Sequence, residues 1–212
     1  MTDDLIETLS RDLRPARRSP VLRRMLAAVG VGVVLSALAM IWGLGLRPDM
    51  ADATRTSMFW MKLAYAGGVA FAGMVILERL ARPSGKAGRR FAWLAAPVLA
   101  IGLVAAARLV LAHPADVHAL LMGASARVCS RNIAVLSVPV FFALIWAVRG
   151  LAPTRLRLAG ALTGLTAAGF ATLVYCLHCP ETAAPFVAIW YSLGMLIPSA
   201  LGALFGPRLL RW

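Results

Sequence analysis

Residues 25–46 read MLAAVGVGVVLSALAMIWGLGL, a run with no charged side chain. A helix rising 1.5 Å per residue needs about twenty such residues to cross a hydrocarbon core of about 30 Å. Five more runs of similar length follow, near 58–80, 91–112, 129–149, 156–177 and 185–206. Polar segments separate them: LRPDMADATRTS, ARPSGKAGRR, HPADVHALLMGASAR, RGLAPTRLR and HCPET, with PRLLRW at the end. The spacing predicts an all-α integral membrane protein of six transmembrane helices. Pro139 and Pro198 fall inside the fourth and sixth runs, where membrane helices tolerate proline better than soluble ones do.

Composition agrees. Of 212 residues, 60% are hydrophobic and 15% charged, and the mean hydropathy is +0.78. A globular chain of this length could not bury that much apolar surface. An ordinary soluble enzyme, a disordered regulator and a disulfide-rich secreted domain are excluded. Arg23 and Arg24 followed by residues 25–39 imitate a signal peptide, but the apolar run continues and five more follow, so the first helix is read as uncleaved.

The net charge of +13 comes from 22 Lys and Arg against 9 Asp and Glu. In a soluble protein that balance would suggest nucleic acid. Here the basic residues flank the apolar runs, so they are read as orientation signals and direct nucleic-acid binding is not expected. Arg11, Arg14, Arg17, Arg18, Arg23 and Arg24 precede the first run. Arg79, Arg82, Lys86, Arg89 and Arg90, then Arg149, Arg155 and Arg157, then Arg208 and Arg211 fall on the same side. The other side has Arg47, Arg55, Lys62, Arg127 and Arg131, and Arg108 lies inside the third run. Both termini are therefore expected in the cytoplasm. Lys62, Glu78, Arg79, Arg108 and Arg131 lie near run ends, within reach of the interface by snorkelling. No carboxylate, Lys or His sits near a midplane, as ion-coupled transport would require. Gly160 and Gly164 form a GxxxG, read as packing between helices of one chain rather than a dimer interface. No dinucleotide fingerprint, P-loop or HExxH occurs.

The chain has three Cys and three His. Cys129 opens the fourth run, Cys176, His178 and Cys179 follow the fifth, and His113 and His118 lie between the third and fourth. All six map to the side away from the cytoplasm. Two chemistries suit them: a disulfide from Cys129 to Cys179 or Cys176, or a soft-metal site built from thiolates and imidazole, with Cys129, Cys179 and His178 as candidate ligands. Neither chemistry implies a resident cofactor; a heavy-metal ion would be a transient visitor.

Residues 1–22 are expected to form a cytoplasmic amphipathic tail ahead of a six-helix domain over 23–212. Thr2, Asp3 and Asp4 supply a helix start, Leu5, Leu9 and Leu13 with Ile6 beside them form one apolar face, and Pro15 ends it. Such a short stripe needs a partner to fold against. Acidic residues at 3, 4, 7 and 12 disfavour a lipid surface and favour a groove on another protein.

DDLIETLSRDLRPARR, the cysteine in VCSRNI, and the run YCLHCPETAAPFVAIWYSLG resemble the NrsF family of bacterial membrane anti-sigma factors over essentially the whole chain. The resemblance implies an inner-membrane inhibitor that holds an ECF sigma factor of the SigF type, releasing it under heavy-metal or oxidative stress. The family's two key cysteines map onto Cys129 and Cys179 as sensor thiols. Cys176 departs from the family pattern, and with His178 it is at most an accessory. Leu5, Ile6, Leu9 and Leu13 become the expected sigma contact. Readings from other classes are a membrane thiol–disulfide oxidoreductase and a soft-metal transporter. The first would want a second cysteine pair to pass electrons onward, the second thiols at mid-depth. The topology is directly testable: alkaline phosphatase fused after His118 should be active in whole cells, and fused after Gly85 inactive. The reverse pattern would invert every assignment of side.

Overall fold

The structure, a computed structural model, describes residues 19–82, 88–151 and 153–211. The expected tail helix and its residues Leu5, Ile6, Leu9 and Leu13 lie outside the described residues. Six helices are long and apolar enough to cross a membrane. They are α1 (Ser19–Gly43), α2 (Ser57–Leu80), α3 (Ala92–Val110), α4 (Ala126–Arg149), α5 (Leu156–Tyr175) and α6 (Ala184–Leu209). Their centres agree with the sequence reading. The main difference is α1, which begins at Ser19, so Arg23 and Arg24 lie inside it. Hydropathy marks where a helix is apolar, whereas the backbone continues into the charged flank as long as its hydrogen bonds can be made.

Local chemistry sets several ends. Thr56 caps α2 by accepting the Phe59 amide on its hydroxyl at 3.4 Å. The long segment before α4 is not plain loop: a 3-10 turn (Pro114–Asp116) leads into a short helix (Val117–Met122) that stops at Gly123, whose φ of +50° suits glycine. Within α6, residues Val187–Tyr191 widen into a π-turn. Pro97, Pro139, Pro198 and Pro207 all sit inside helices.

The central element is α5, which packs against α1, α2, α4 and α6. Small residues line its faces, and they explain how one helix accommodates so many neighbours. Its most extensive interface is with α6, where Gly160 and Gly164 meet Pro198, Gly202 and Gly206 backbone to backbone. The GxxxG therefore packs within the chain, as expected. On another face Gly169 lies against Ala70 of α2, and Gly73 of α2 against Thr166. Thr163 and Thr172 turn their hydroxyls back onto the carbonyls of Ala159 and Ala168 at 2.7 Å, whereas the buried Thr166 hydroxyl has no hydrogen-bond partner among the described residues. α3 is peripheral and little of it is buried. Large apolar side chains such as Phe71, Leu103, Val135, Trp146 and Leu204 stand exposed around the bundle.

A β-carbon at Gly160 would run into the Gly202 carbonyl and lie 2.8 Å from the Gly206 Cα, both backbone atoms that cannot step aside cheaply. Gly30, in contrast, has nothing within 4 Å of that position. Gly160→Val should therefore lower the thermal midpoint in detergent, at a cost of about 1–3 kcal/mol or more, whereas Gly30→Ala should not lower it. Equal behaviour of the two variants in a melting experiment would refute the close α5–α6 contact.

Candidate functional site: a thiol cluster under a gripped loop

The chain leaves α5 at Cys176 and re-enters a helix at Ala184. This short loop, CLHCPETA, must find partners for the carbonyls and amides that it takes out of helix and partly buries. Three elements supply them. From the α1–α2 connection, the Arg47 amide donates to the Leu177 carbonyl at 3.2 Å, and an Arg47 Nη1 donates to the Cys179 carbonyl at 3.3 Å. His178 Nδ1 pairs with the Gly45 carbonyl at 2.8 Å. From α2, Lys62 Nζ donates to the carbonyls of Cys179 at 3.0 Å and Glu181 at 2.7 Å. Opposite these, Glu181 Oε1 accepts from the amides of Ala124 and Ser125 and from the Ser125 hydroxyl, at 2.8, 3.0 and 3.0 Å. A carboxylate there also favours the start of α4 through its helix dipole.

Beneath the loop lie all three cysteines, each 0% exposed and each a free thiol. They belong to one packed cluster with Tyr175, Tyr191, Ile133 and Phe186. The sequence reading brought Cys129 from α4 and Cys176 and Cys179 from the α5 end to the same side. The structure brings them together. The Cys129 and Cys179 side chains lie within hydrogen-bonding reach of each other. The π-turn in α6 carries Tyr191 at its last position, and its buried hydroxyl, without a hydrogen-bond partner among the described residues, lies beside Cys176 and Cys179. The same turn presents Trp190, whose indole donates to the Leu121 carbonyl and whose carbonyl accepts from Ser130, both at 2.8 Å.

The two loop cysteines differ electrostatically. The Cys129 thiol, the Tyr191 hydroxyl, the Glu181 amide and the Lys62 ammonium all favour a negative charge on Cys179, so its pKa falls below the ordinary thiol value despite burial. Burial pushes Cys176 up to about 12, with the Lys62 ammonium and the Tyr191 hydroxyl opposing only in part. Of the two, Cys179 is the one whose surroundings favour a charged sulfur.

The remaining sequence candidates separate. His178 is at the site, but one of its ring nitrogens is committed to Gly45. His113 and His118 stay exposed on the α3–α4 connection, with His113 Nδ1 accepting the Ala115 amide at 3.5 Å. Among the described residues, no group of three or more His, Cys, Asp or Glu is arranged to hold a metal ion. Two residues were misread from sequence. Lys62, expected to snorkel, is 0% exposed and points inward, and Arg47, expected only as a loop charge, is buried against Cys179. Distance to the run end alone suggests snorkelling; what overrides it is the pair of loop carbonyls, Cys179 and Glu181, that Lys62 bridges. Only the position of two cations on the same side as HCPE could have signalled this.

Lys62→Met would strip both carbonyls of their ammonium donor. Leaving buried polar groups unmatched costs about 1–3 kcal/mol. If labelling of the native cysteines by a maleimide requires the loop to open, its rate should rise by about 5- to 150-fold. An unchanged rate would show that Lys62 does not hold the loop closed.

The family described as "NrsF: Negative regulator of sigma F" matches residues 9–212. The chain is 41% identical over 211 residues to the "Probable anti-sigma-F factor NrsF" of Azospira oryzae, and 41% identical over 214 residues to the "Anti-sigma-F factor NrsF" of Caulobacter vibrioides. Each alignment covers 100% of this chain and 99% of the relative. No solved structure matches. With this identity sustained from end to end, and the family match running from the tail through both cysteine-bearing segments, the chain belongs to the NrsF family.

Proposed function

We propose that this protein is an anti-sigma factor of the bacterial inner membrane. It holds a sigma factor of the SigF type, an ECF sigma factor, at the cytoplasmic face and releases it when Cys129 and Cys179 react with a heavy metal or an oxidant. The regulatory part rests on the full-length similarity to two anti-sigma-F factors. The membrane part rests on six apolar helices with exposed apolar flanks and on the arginine asymmetry. Both termini are then cytoplasmic, the residues ahead of α1, which begins at Ser19 rather than at 23, are the handle, and the six helices form the sensing domain.

The observation that carries the sensor reading is the pairing of a thiolate-prone Cys179 with Cys129 beneath one loop. In oxidation, the two sulfurs join and lose two protons and two electrons, both electrons going to the oxidant. In metal capture, both thiols give up protons to the solvent and the sulfurs share the ion. Either event replaces a thiol hydrogen bond by a fixed link between the start of α4 and the α5–α6 loop. An electron relay fits less well, because the single cluster takes in all three cysteines of the chain.

A sigma-dependent reporter tests this reading. Leu9→Asp should derepress it without stress: a buried Leu contributes about 1.5–3 kcal/mol, roughly ten- to a hundredfold in affinity, before the cost of burying a charge. Cys129→Ser and Cys179→Ser should each abolish the response to cadmium, chromate and peroxide, and Cys176→Ser should leave it nearly unchanged. Full repression in Leu9→Asp would exclude the tail as the contact. Normal induction in both Cys129→Ser and Cys179→Ser would leave the thiols structural.

A further inference from the structure

At the end of the bundle opposite the thiols, a groove of about 660 Å³ opens on the outer surface between α1, α2 and α5. Its walls are apolar: Leu26 of α1, Gly67, Ala70 and Met74 of α2, and Phe170 and Leu173 of α5. Its mouth is cationic. Arg79 of α2, Arg82 just beyond its end and Arg90 from the turn Gly88–Phe91 line it, with Glu78 as the single carboxylate in the lining. Glu78 pairs with Arg82 and lies 3.6 Å from Arg79, so one negative charge is shared between two guanidinium groups while Arg90 adds a third cation. The Arg82 Nε is buried with no hydrogen-bond partner among the described residues.

We infer that this groove is a binding site for one anionic phospholipid, with an acyl chain along the apolar walls and the phosphate on Arg79, Arg82 and Arg90. The dimensions agree with that occupant. From Glu78 at the mouth to Gly67 at the inner end is eleven residues of α2, about 16 Å of helix, close to half a hydrocarbon core. An acyl chain fills that depth without placing a polar group in it. Arginine forks match phosphate oxygens, and basic pockets at helix ends recruit anionic headgroups over zwitterionic ones. The chain's own segment 1–18 is the competing occupant, since it enters α1 beside Leu22 of the same groove. Its acidic residues at 3, 4, 7 and 12 could meet the arginines, but any part reaching Gly67 would carry them into the apolar end. The inference rests on the membrane placement proposed above and not on the sensor reading.

The test uses the full chain solubilised from membranes and offered equal amounts of dioleoyl phosphatidylglycerol and dioleoyl phosphatidylcholine, with retained lipid counted by native mass spectrometry. Phosphatidylglycerol should be retained about tenfold or more over phosphatidylcholine. Arg82→Gln with Arg90→Gln should bring the ratio close to one, whereas Arg157→Gln, an exposed arginine outside the groove, should leave it high. Equal retention by the unaltered chain, or equal loss in Arg157→Gln, would overturn the site. A photo-crosslinker at Val75, which lines the groove, should capture phospholipid in cells; capture of residues 1–18 would assign the groove to the tail instead. Recovery of the chain in the soluble fraction would instead sink the membrane placement itself, and is read before any lipid is added.

Discussion

Lys62 donates its buried ammonium to two backbone carbonyls of the loop between α5 and α6. Among the described residues it has no carboxylate partner within salt-bridge distance. Taking an unpaired ammonium out of water costs several kcal/mol, so the arrangement persists only because the alternatives are also costly. Without Lys62, the Glu181 carbonyl would lose its side-chain donor and the Cys179 carbonyl would keep only Arg47. With it, they are satisfied and a positive charge stands beside the Cys179 sulfur. One side chain therefore closes the loop and sets the electrostatics beneath it. Arg47 repeats the device from the α1–α2 connection, with Asp49 holding its guanidinium at 2.8 Å.

Much of this was legible in the sequence, for identifiable reasons. Six apolar runs with charges between them admit few solutions, because in hydrocarbon each backbone group must be paired within its own helix. The gathering of Cys129, Cys176 and Cys179 at one end followed from the alternation of the six runs, which says nothing about cysteines. That independence is what gives the match its value. The α5–α6 contact was readable from Gly160 and Gly164, yet their partners Pro198, Gly202 and Gly206 were not, since a small-residue stripe does not name the helix it faces.

The misreadings share a cause. Lys62 and Arg47 were judged by their distance along the chain from a run end, a one-dimensional measure. Their direction is set by acceptors more than a hundred residues away in sequence, which no local pattern reports. The π-turn at Val187–Tyr191 is of the same kind: one widened turn re-aims Trp190 and Tyr191, and both then contact the thiol region. The Glu181 latch on Ala124 and Ser125 is also long-range, although an acidic residue beside a cysteine pair was visible from the start.

Under the proposed function a signal at the thiols has to reach the opposite end of the bundle, and α4 links the two. It carries Cys129 in its first turn and Trp146 near its last, about 25 Å apart along the axis. Trp146 is held there by Arg24 of α1, whose guanidinium carbon sits 4.4 Å from the ring centroid and which donates to the Trp146 carbonyl at 3.0 Å. Gly150, one turn further on, leaves the room that Arg24 occupies: a β-carbon there would lie 2.5 Å from a guanidinium nitrogen. α1 in turn begins at Ser19, directly after the tail that the proposed function makes the sigma contact. Covalent continuity on α4 and the Arg24–Trp146 clasp thus give an unbroken physical route from sulfur to tail. A route alone transmits nothing; transmission needs two discrete packings that the tie between Cys129 and Cys179 favours unequally. The clasp is suited to be the element that differs between them, because its single cation–π contact and one hydrogen bond are worth only a few kcal/mol, within reach of a single crosslink formed at the other end.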